Sequence, residues 1–350
     1  MKLQFFQPKS WSQDSMLLAQ EYGIHFPQAQ AYLSEALVND ASFQPITSAN
    51  NGIPSILTTF IDPQLIDILI APLKAAEIYG EAKKGDWLHD DMKFVVVEPG
   101  GTTQAYGDFS NGGSTSINAE FPSRQQFLVQ TLVHYGDREI GRAGLANIDL
   151  PARQRLAGAT TLNIWQNNNY FFGQQFLQNY GALNDPNLPA AITPGSKKAG
   201  GNSWKNATAL EIFDDIQTLY TQLTTQTKGV VNLDNAVSMN SPLKLVLSNI
   251  SQAYFLRPNE YGISAMKYIK DAFPNLVHFS APQLSTAAGE LVQLFVESYG
   301  GVDTFTCAFS EKLRSHGVVR ELSSYKEKLT QGAWGTILTR PVLVAQMLGV

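Results

Sequence analysis

The spacing of apolar residues changes several times along the 350-residue chain, and each change marks an element. Up to about residue 55, short apolar clusters such as SMLLAQEYG and PQAQAYLSEALVN are cut by Gly23, Pro27 and Pro45, which predicts an extended arm. In DPQLIDILIAPLKAAEIYGE, Asp62 is placed to cap a helix, Pro63 fits its first turn, and Ile66, Leu69, Ile70 and Leu73 form one stripe. Pro72 is expected to kink it. At MKFVVVE, Met92 to Glu98, the pattern becomes β-branched and strand-like. QQFLVQTLVHY then alternates, with Phe127, Val129, Thr131 and Val133 on one face and Leu128, Gln130, Leu132 and His134 on the other. These two runs are predicted to be the legs of a long β-hairpin around a soft tip.

The stretch between them, GDFSNGGSTSINAEFPSR from Gly107 to Arg124, has no lysine and few charges, yet it carries Phe109, Ile117 and Phe121. An isolated hairpin is marginal in water. Such a flap therefore needs another surface to lie on, and the nearest one available is a second copy of the chain.

Farther along, Asp149, Pro151 and Gly173 bracket a helix over Pro151–Phe172, about 33 Å long at 1.5 Å per residue. Its apolar spacing is irregular, and Ala157-Gly158-Ala159 allows close approach of another element. QFLQNYGALNDPNLPAAI reads as a strand and a turn, and TPGSKKAGGNSWKN as a boundary loop. Thr208 to Glu211 forms a capping box, with Leu210, Phe213, Ile216 and Tyr220 behind it. From about 240 to 325, strands (LKLVLS, LVHFSAP, ELVQLFVE) alternate with helices (YGISAMKYIKDAF, AFSEKLRSHG), as in a compact α/β piece. The chain ends in strand pattern, WGTILTRPVLVAQMLGV, and shows no internal repeat.

Charged residues are 16% of the chain, below the roughly 25% usual in soluble domains, which leaves surface for partners to cover. A net charge of -5 argues against a phosphate-gripping nucleic-acid binder. The single Cys307 excludes an internal disulfide framework. No apolar run approaches the ~18 residues of a membrane span, and the first residues lack a signal-peptide core, so a soluble, cytosol-made chain is expected.

Chemistry is sparse. His89-Asp90-Asp91 are adjacent on a turn and point apart, so they read as a polar turn. GSKKAGGN lacks the ending of a phosphate loop, and no G-x-S-x-G elbow occurs. Cys307 sits in the alternating segment DTFTCAF as a core residue, and the basic spots RQRLAG and SKKAGG read as solvated charge. Asp214 and Asp215 are neighbours on a helix, so one of them faces solvent. No catalytic, cofactor or metal site is predicted.

In order along the chain, the elements resemble the major capsid proteins of tailed phages with the Hong Kong 97 fold. KFVVVEPGGTTQAYGDFSNGG resembles the extended loop and DLPARQRLAGATTLNIWQNNNYFFG the spine helix. YGALNDPNLPA resembles the strand and turn after the spine, and YKEKLTQGAWGTILTRPVLVAQMLGV the closing strands. The resemblance implies an α+β fold with an N-terminal arm at 1–55, an extended loop at 85–126, a peripheral domain from 56–84, 127–200 and 326–350, and an axial domain at 201–325. It implies a shell of hexamers and pentamers enclosing double-stranded DNA in an icosahedral head, assembled in the host cytoplasm without membrane, cofactor or catalysis. Portal, scaffolding and decoration proteins are the implied partners. Scaffolding is expected to be a separate protein, since no long segment precedes the arm.

Loop anchors are expected at Phe109, Ile117 and Phe121, with polar contacts at Asp108, Glu120 and Arg124. Some shells of this kind are covalently linked through a loop lysine; no lysine occurs here between Lys93 and Lys197, so non-covalent contacts are expected. Two rival readings remain: an encapsulin-type compartment with the same fold, and a cytosolic α/β enzyme with a lid at 100–124.

Overall fold

The computed structural model describes residues 72–145, 148–231 and 242–350. The expected arm and the capped helix start at Asp62 and Pro63 lie outside the described residues. A short helix α1 (Ala75–Tyr79) leads into strand β1 (Glu81–Lys83). Four further strands follow: β2 (Asp91–Lys93), β3 (Val96–Thr102), β4 (Ser114–Glu120) and β5 (Ser123–Gln125). Then come β6 (Phe127–Gly136), helix α2 (Asp137–Leu145) and the long helix α3 (Leu150–Phe172).

Helix α3 forms where its punctuation places it. The Asp149 carboxylate accepts from the Ala152 N–H at 3.2 Å, and Gly173 closes the helix at φ 61°, where a side chain would strike the Asn179 carbonyl. Its N-terminal half lies on a four-stranded sheet of order β1-β13-β14-β6, in which β13 (Phe305–Arg320) and β14 (Ser324–Leu338) form a long hairpin. Val133, Tyr135, Leu162 and Leu329 make the apolar contact. Gly158 sits at its tightest point, where an added Cβ would stand 3.0 Å from Leu329 and 3.2 Å from Val133. The two faces separate as the alternation predicts, and the Val133 face of β6 is the one turned inward.

A second sheet has the order β15-β10-β7-β8. Its members are β7 (Leu243–Leu247), β8 (Leu276–Ser280), β10 (Gly289–Val296) and β15 (Val344–Leu348), with the short β9 (Ser285–Thr286) on β10. Leu243, Leu245, Leu247, Val292 and Leu294 face a core completed by α4 (Ala209–Gln226), α5 (Asn249–Phe255) and α6 (Ala265–Ala272). Thr208 and Glu211 form the expected capping box at the start of α4. The buried stripe of that helix is Ile212, Ile216, Leu219 and Leu223, and Leu210 points outward. Val246, Leu291 and Phe295 face the other way, into a core shared with α1 and the end of α3. A minor ribbon pairs β11 (Ser298–Tyr299) with β12 (Val302–Asp303).

Tyr79 joins these layers. Its ring centroid lies 5.0 Å from Phe305, 5.7 Å from Phe295 and 5.8 Å from Phe171, and its hydroxyl donates to Gln293 Oε1 at 2.8 Å. Gln293 in turn donates to the Ala182 carbonyl, and Lys244 donates to the carbonyl of Ile78 at 2.8 Å. The first sheet, the second sheet, α1 and α3 thus meet at one ring.

Three expectations are corrected. The return leg Phe127–Tyr135 does not pair with Met92–Glu98; it pairs with β14 over ten residues, from Ser324↔Gly136 to Ala333↔Phe127. Its apolar face must be buried on α3, and only the sheet position beside β14 provides that. The hairpin partner of β3 is β4, inside the stretch expected to be the soft tip. AFSEKLRSHG is strand, not helix, because pairing with β14 and, at its start, with β1 outweighs local propensity. The residues after Gly173 form consecutive turns rather than a strand, with Gln174 and Asn179 making a single bridge. Phe305–Arg320 belongs to the first sheet and Val344–Leu348 to the second.

Cys307 is fully buried between Ala75 and Thr336, and burial pushes its thiol up to about 12. It should resist a thiol-specific disulfide reagent at pH 8 in the folded protein and react at once after denaturation. Tyr79→Ala should cost about 3–5 kcal/mol in urea unfolding, against about 1–3 kcal/mol for Tyr79→Phe, which leaves Gln293 Oε1 without its donor.

Candidate assembly surface: the extended loop and its root

The loop is built in two parts with opposite character. At the root, β2 and β5 pair with Met92 opposite Arg124, and Phe94 donates its N–H to the Pro122 carbonyl at 3.0 Å. Met92 and Phe94 pack against the cluster of Ala308, Trp334 and Ile337. Beyond the root, β3 and β4 pair from Val96↔Glu120 to Thr102↔Ser114, with a tip of 103–113. Every residue from 101 to 121 is exposed. Gly113, at φ 88°, lets the chain turn back into β4.

The arm exists as strand because its two legs satisfy one another's backbone groups, and no burial is required for that. Its apolar side chains gain nothing from the fold. Phe109 is 103% exposed, Ile117 73% and Phe121 59%; Tyr106, Val95, Val96 and Val97 are exposed beside them. Asp108 and Glu120 are exposed as well. A protein surface seldom displays so many large apolar groups together without a partner to cover them.

Arg124 departs from the expected pattern of outward contacts. It is only 7% exposed, donates from Nη2 to Asp185 Oδ2 at 2.6 Å, and stacks at 4.7 Å over Tyr180. Its guanidinium is committed inside its own chain, to a segment that follows α3. A hollow of about 660 Å³ lies under the root, lined by Phe94, Val96, Pro122, Val302, Ile337 and Leu338 among others.

The turn at 174–179 clamps the free edge of β5. Gln125 donates its N–H to the Gln178 carbonyl at 3.0 Å, Gln178 returns a bond to Gln125 Oε1 at 3.2 Å, and Ser123 Oγ donates to Gln178 Oε1 at 2.5 Å. Asn179 Nδ2 donates to the carbonyls of both Gln125 and Ala333. At the apex stands Phe176, with φ 75°, wholly exposed. A bulky residue held in the left-handed region costs roughly 1–3 kcal/mol. Sequence reading missed Phe176 because FLQ in isolation looks like strand.

The remaining candidates behave as packing. Asp86 and His89 close a turn on each other, with N–H to Nδ1 at 3.1 Å. Lys197, in one of the expected solvated spots, is instead buried against Asp215, which also accepts from Trp204 Nε1 at 2.7 Å. Arg155, in the other, pairs with Glu327 at 2.5 Å. Among the described residues no group of three His, Cys, Asp or Glu side chains gathers in metal-binding geometry, and no helix is long and apolar enough to cross a membrane.

A long helix across a β-sheet, a second sheet with its own helical layer and an extended, uncovered β-arm define a capsid subunit of the Hong Kong 97 type. The family model for the Pa193 gp26 major capsid protein matches residues 44–349, and the chain belongs to that family; it forms a capsid shell. Among solved structures, the capsid of Myoviridae phage XM1 is similar at TM-score 0.68 and 14% identity, covering 86% of this chain and 99% of the other. The capsid of the native GTA particle is similar at TM-score 0.59 and 11% identity, over 87% and 100% of the two chains. The structure of Mycobacterium phage Che8 gives 0.50 and 15%, over 86% and 98%. No curated protein matches the sequence.

Arg124→Ala should cost about 3–5 kcal/mol, because Asp185 is left as an uncompensated buried charge. Hydrogen exchange should quicken in 91–93 and 123–125 before it does elsewhere. The double change with Asp185→Ala should recover part of the loss.

Proposed function

We propose that this chain builds the icosahedral head of a tailed phage as hexamers and pentamers around double-stranded DNA, with the extended loop lying on a neighbouring copy. The observation that carries the reading is the loop itself: a paired β-arm whose residues 101–121 are all exposed, with Phe109, Ile117 and Phe121 uncovered. Fully burying one such side chain is worth about 1.5–3 kcal/mol, whereas an exposed ion pair is worth roughly 0–1 kcal/mol. The apolar residues therefore supply most of the loop's binding energy, and Asp108 and Glu120 set its register. Arg124 serves the same contact indirectly, by fixing the root through Asp185.

The arm at 1–55, the loop at 85–126, the axial domain at 201–325 and a peripheral domain from the rest are the corresponding parts, with β13 pairing into the peripheral sheet and β15 into the axial sheet. The hollow under the root leaves room for the arm to leave at different angles in hexamers and pentamers. Contacts between copies are non-covalent, since the loop tip has no lysine to donate. The chain acts without catalysis, assembles in the host cytoplasm, and works with portal, scaffolding and decoration proteins.

Phe109, Ile117 and Phe121 all changed to Ser should leave a subunit with native circular dichroism that sediments as small species and gives few shells by negative-stain microscopy. Shell yield equal to the parent protein would refute the anchoring role of the loop.

A further inference from the structure

The turn that follows the spine carries a second apolar contact, separate from the extended loop. Phe176 stands at φ 75° and fully exposed, on a turn too tightly held to relax. At its base, Gly173 and Gly181 are pressed so closely that an added Cβ would stand 2.2 Å from Asn179 O and 2.3 Å from the Phe171 backbone. On its flank, Gln178 and Asn179 are bonded to β5 and β14. Glycine or asparagine would occupy this position with less strain, and neither would leave an aromatic ring in water. A ring presented rigidly has already lost the freedom that binding would otherwise remove, which is the condition for an interface anchor.

The chemistry around the ring limits the partner. No charged residue occurs between Arg155 and Asp185, and the neighbours of Phe176 are Gln174, Gln175, Leu177 and Gln178. The knob therefore fits an uncharged, apolar hollow bordered by hydrogen-bonding groups, and not an acidic or basic surface. Copies of this chain surround one another in the shell, and the turn is hydrogen-bonded along β5, the strand on which the extended loop stands. We propose that Phe176 is an anchor between copies, seated in a neighbouring subunit of the shell beside the footprint of the extended loop.

The test uses assembled shells. Phe176→Gly relieves the backbone while deleting the ring, so the subunit should keep or raise its melting temperature, yet need at least tenfold more protein to assemble. That shift should be nearly the same at low and high salt, because no charge takes part. A photoreactive benzophenone side chain at position 176 should form chain-to-chain adducts in shells and none in unassembled subunits. Normal assembly of Phe176→Gly would overturn the proposal, as would adducts formed only with a different protein. The extended-loop reading stands or falls on its own triple variant, so the two failures are distinguishable.

Discussion

Tyr79 holds the subunit together, because it is where two sheets that share no strand are made to meet. The first sheet arrives through Phe305, the second through Phe295, and the long helix through Phe171, all within 6 Å of one ring. Aromatic pairs in such edge and offset arrangements add roughly 0.5–1.5 kcal/mol each beyond the area they bury. The hydroxyl binds Gln293 and so fixes the ring's direction as well as its depth. A shell subunit must pass load from one half to the other, and a cluster of rings with one hydrogen-bonded pivot does this without a covalent tie.

Polar residues perform a related task along the long helix. Gln166 bonds Tyr170 and Gln331; the Tyr170 hydroxyl donates to Glu81 at 2.9 Å; Glu81 pairs with Lys312; and Asn167 accepts from Ala75. Apolar packing alone would tolerate sliding of the helix along the sheet. A chain of hydrogen-bonded partners does not, since a shift would leave its buried members, Gln166, Asn167, Tyr170 and Gln331, unmatched at about 1–3 kcal/mol apiece. The low amphipathicity of NIWQNNNYFF reflects this, for the helix is fixed by amides as much as by hydrocarbon.

What was legible in the sequence was whatever the sequence states locally. The ends of the long helix are written in Asp149, Pro151 and Gly173, the capping box in Thr208 and Glu211, and the two faces of β6 in its alternation. The loop was legible too, as apolar residues in a stretch unable to bury them. Four features were not, because no local pattern announces them. SEKLRSH becomes strand only through its partner β14. STSINAE is a strand with both faces wet, so no alternation announces it. Arg124 reads as a surface charge until Asp185, beyond the long helix, is folded against it, and Phe176 is distinguished only by a backbone angle.

The division between root and arm explains how one sequence serves many contacts. At the root, a buried ion pair, the stacking of Arg124 on Tyr180, the packing of Met92 and Phe94, and the clamped turn fix the place from which the loop departs. In the arm, β3 and β4 are held to each other by their own ladder, and residues 101–121 are all exposed. Had the arm buried Phe109 or Ile117 in its own subunit, the monomer would gain stability and those side chains would no longer be free to bind. Had the root been as loose as the arm, each copy would have to spend binding energy ordering it. Rigidity is placed at the root, where direction matters, and exposure is left in the arm.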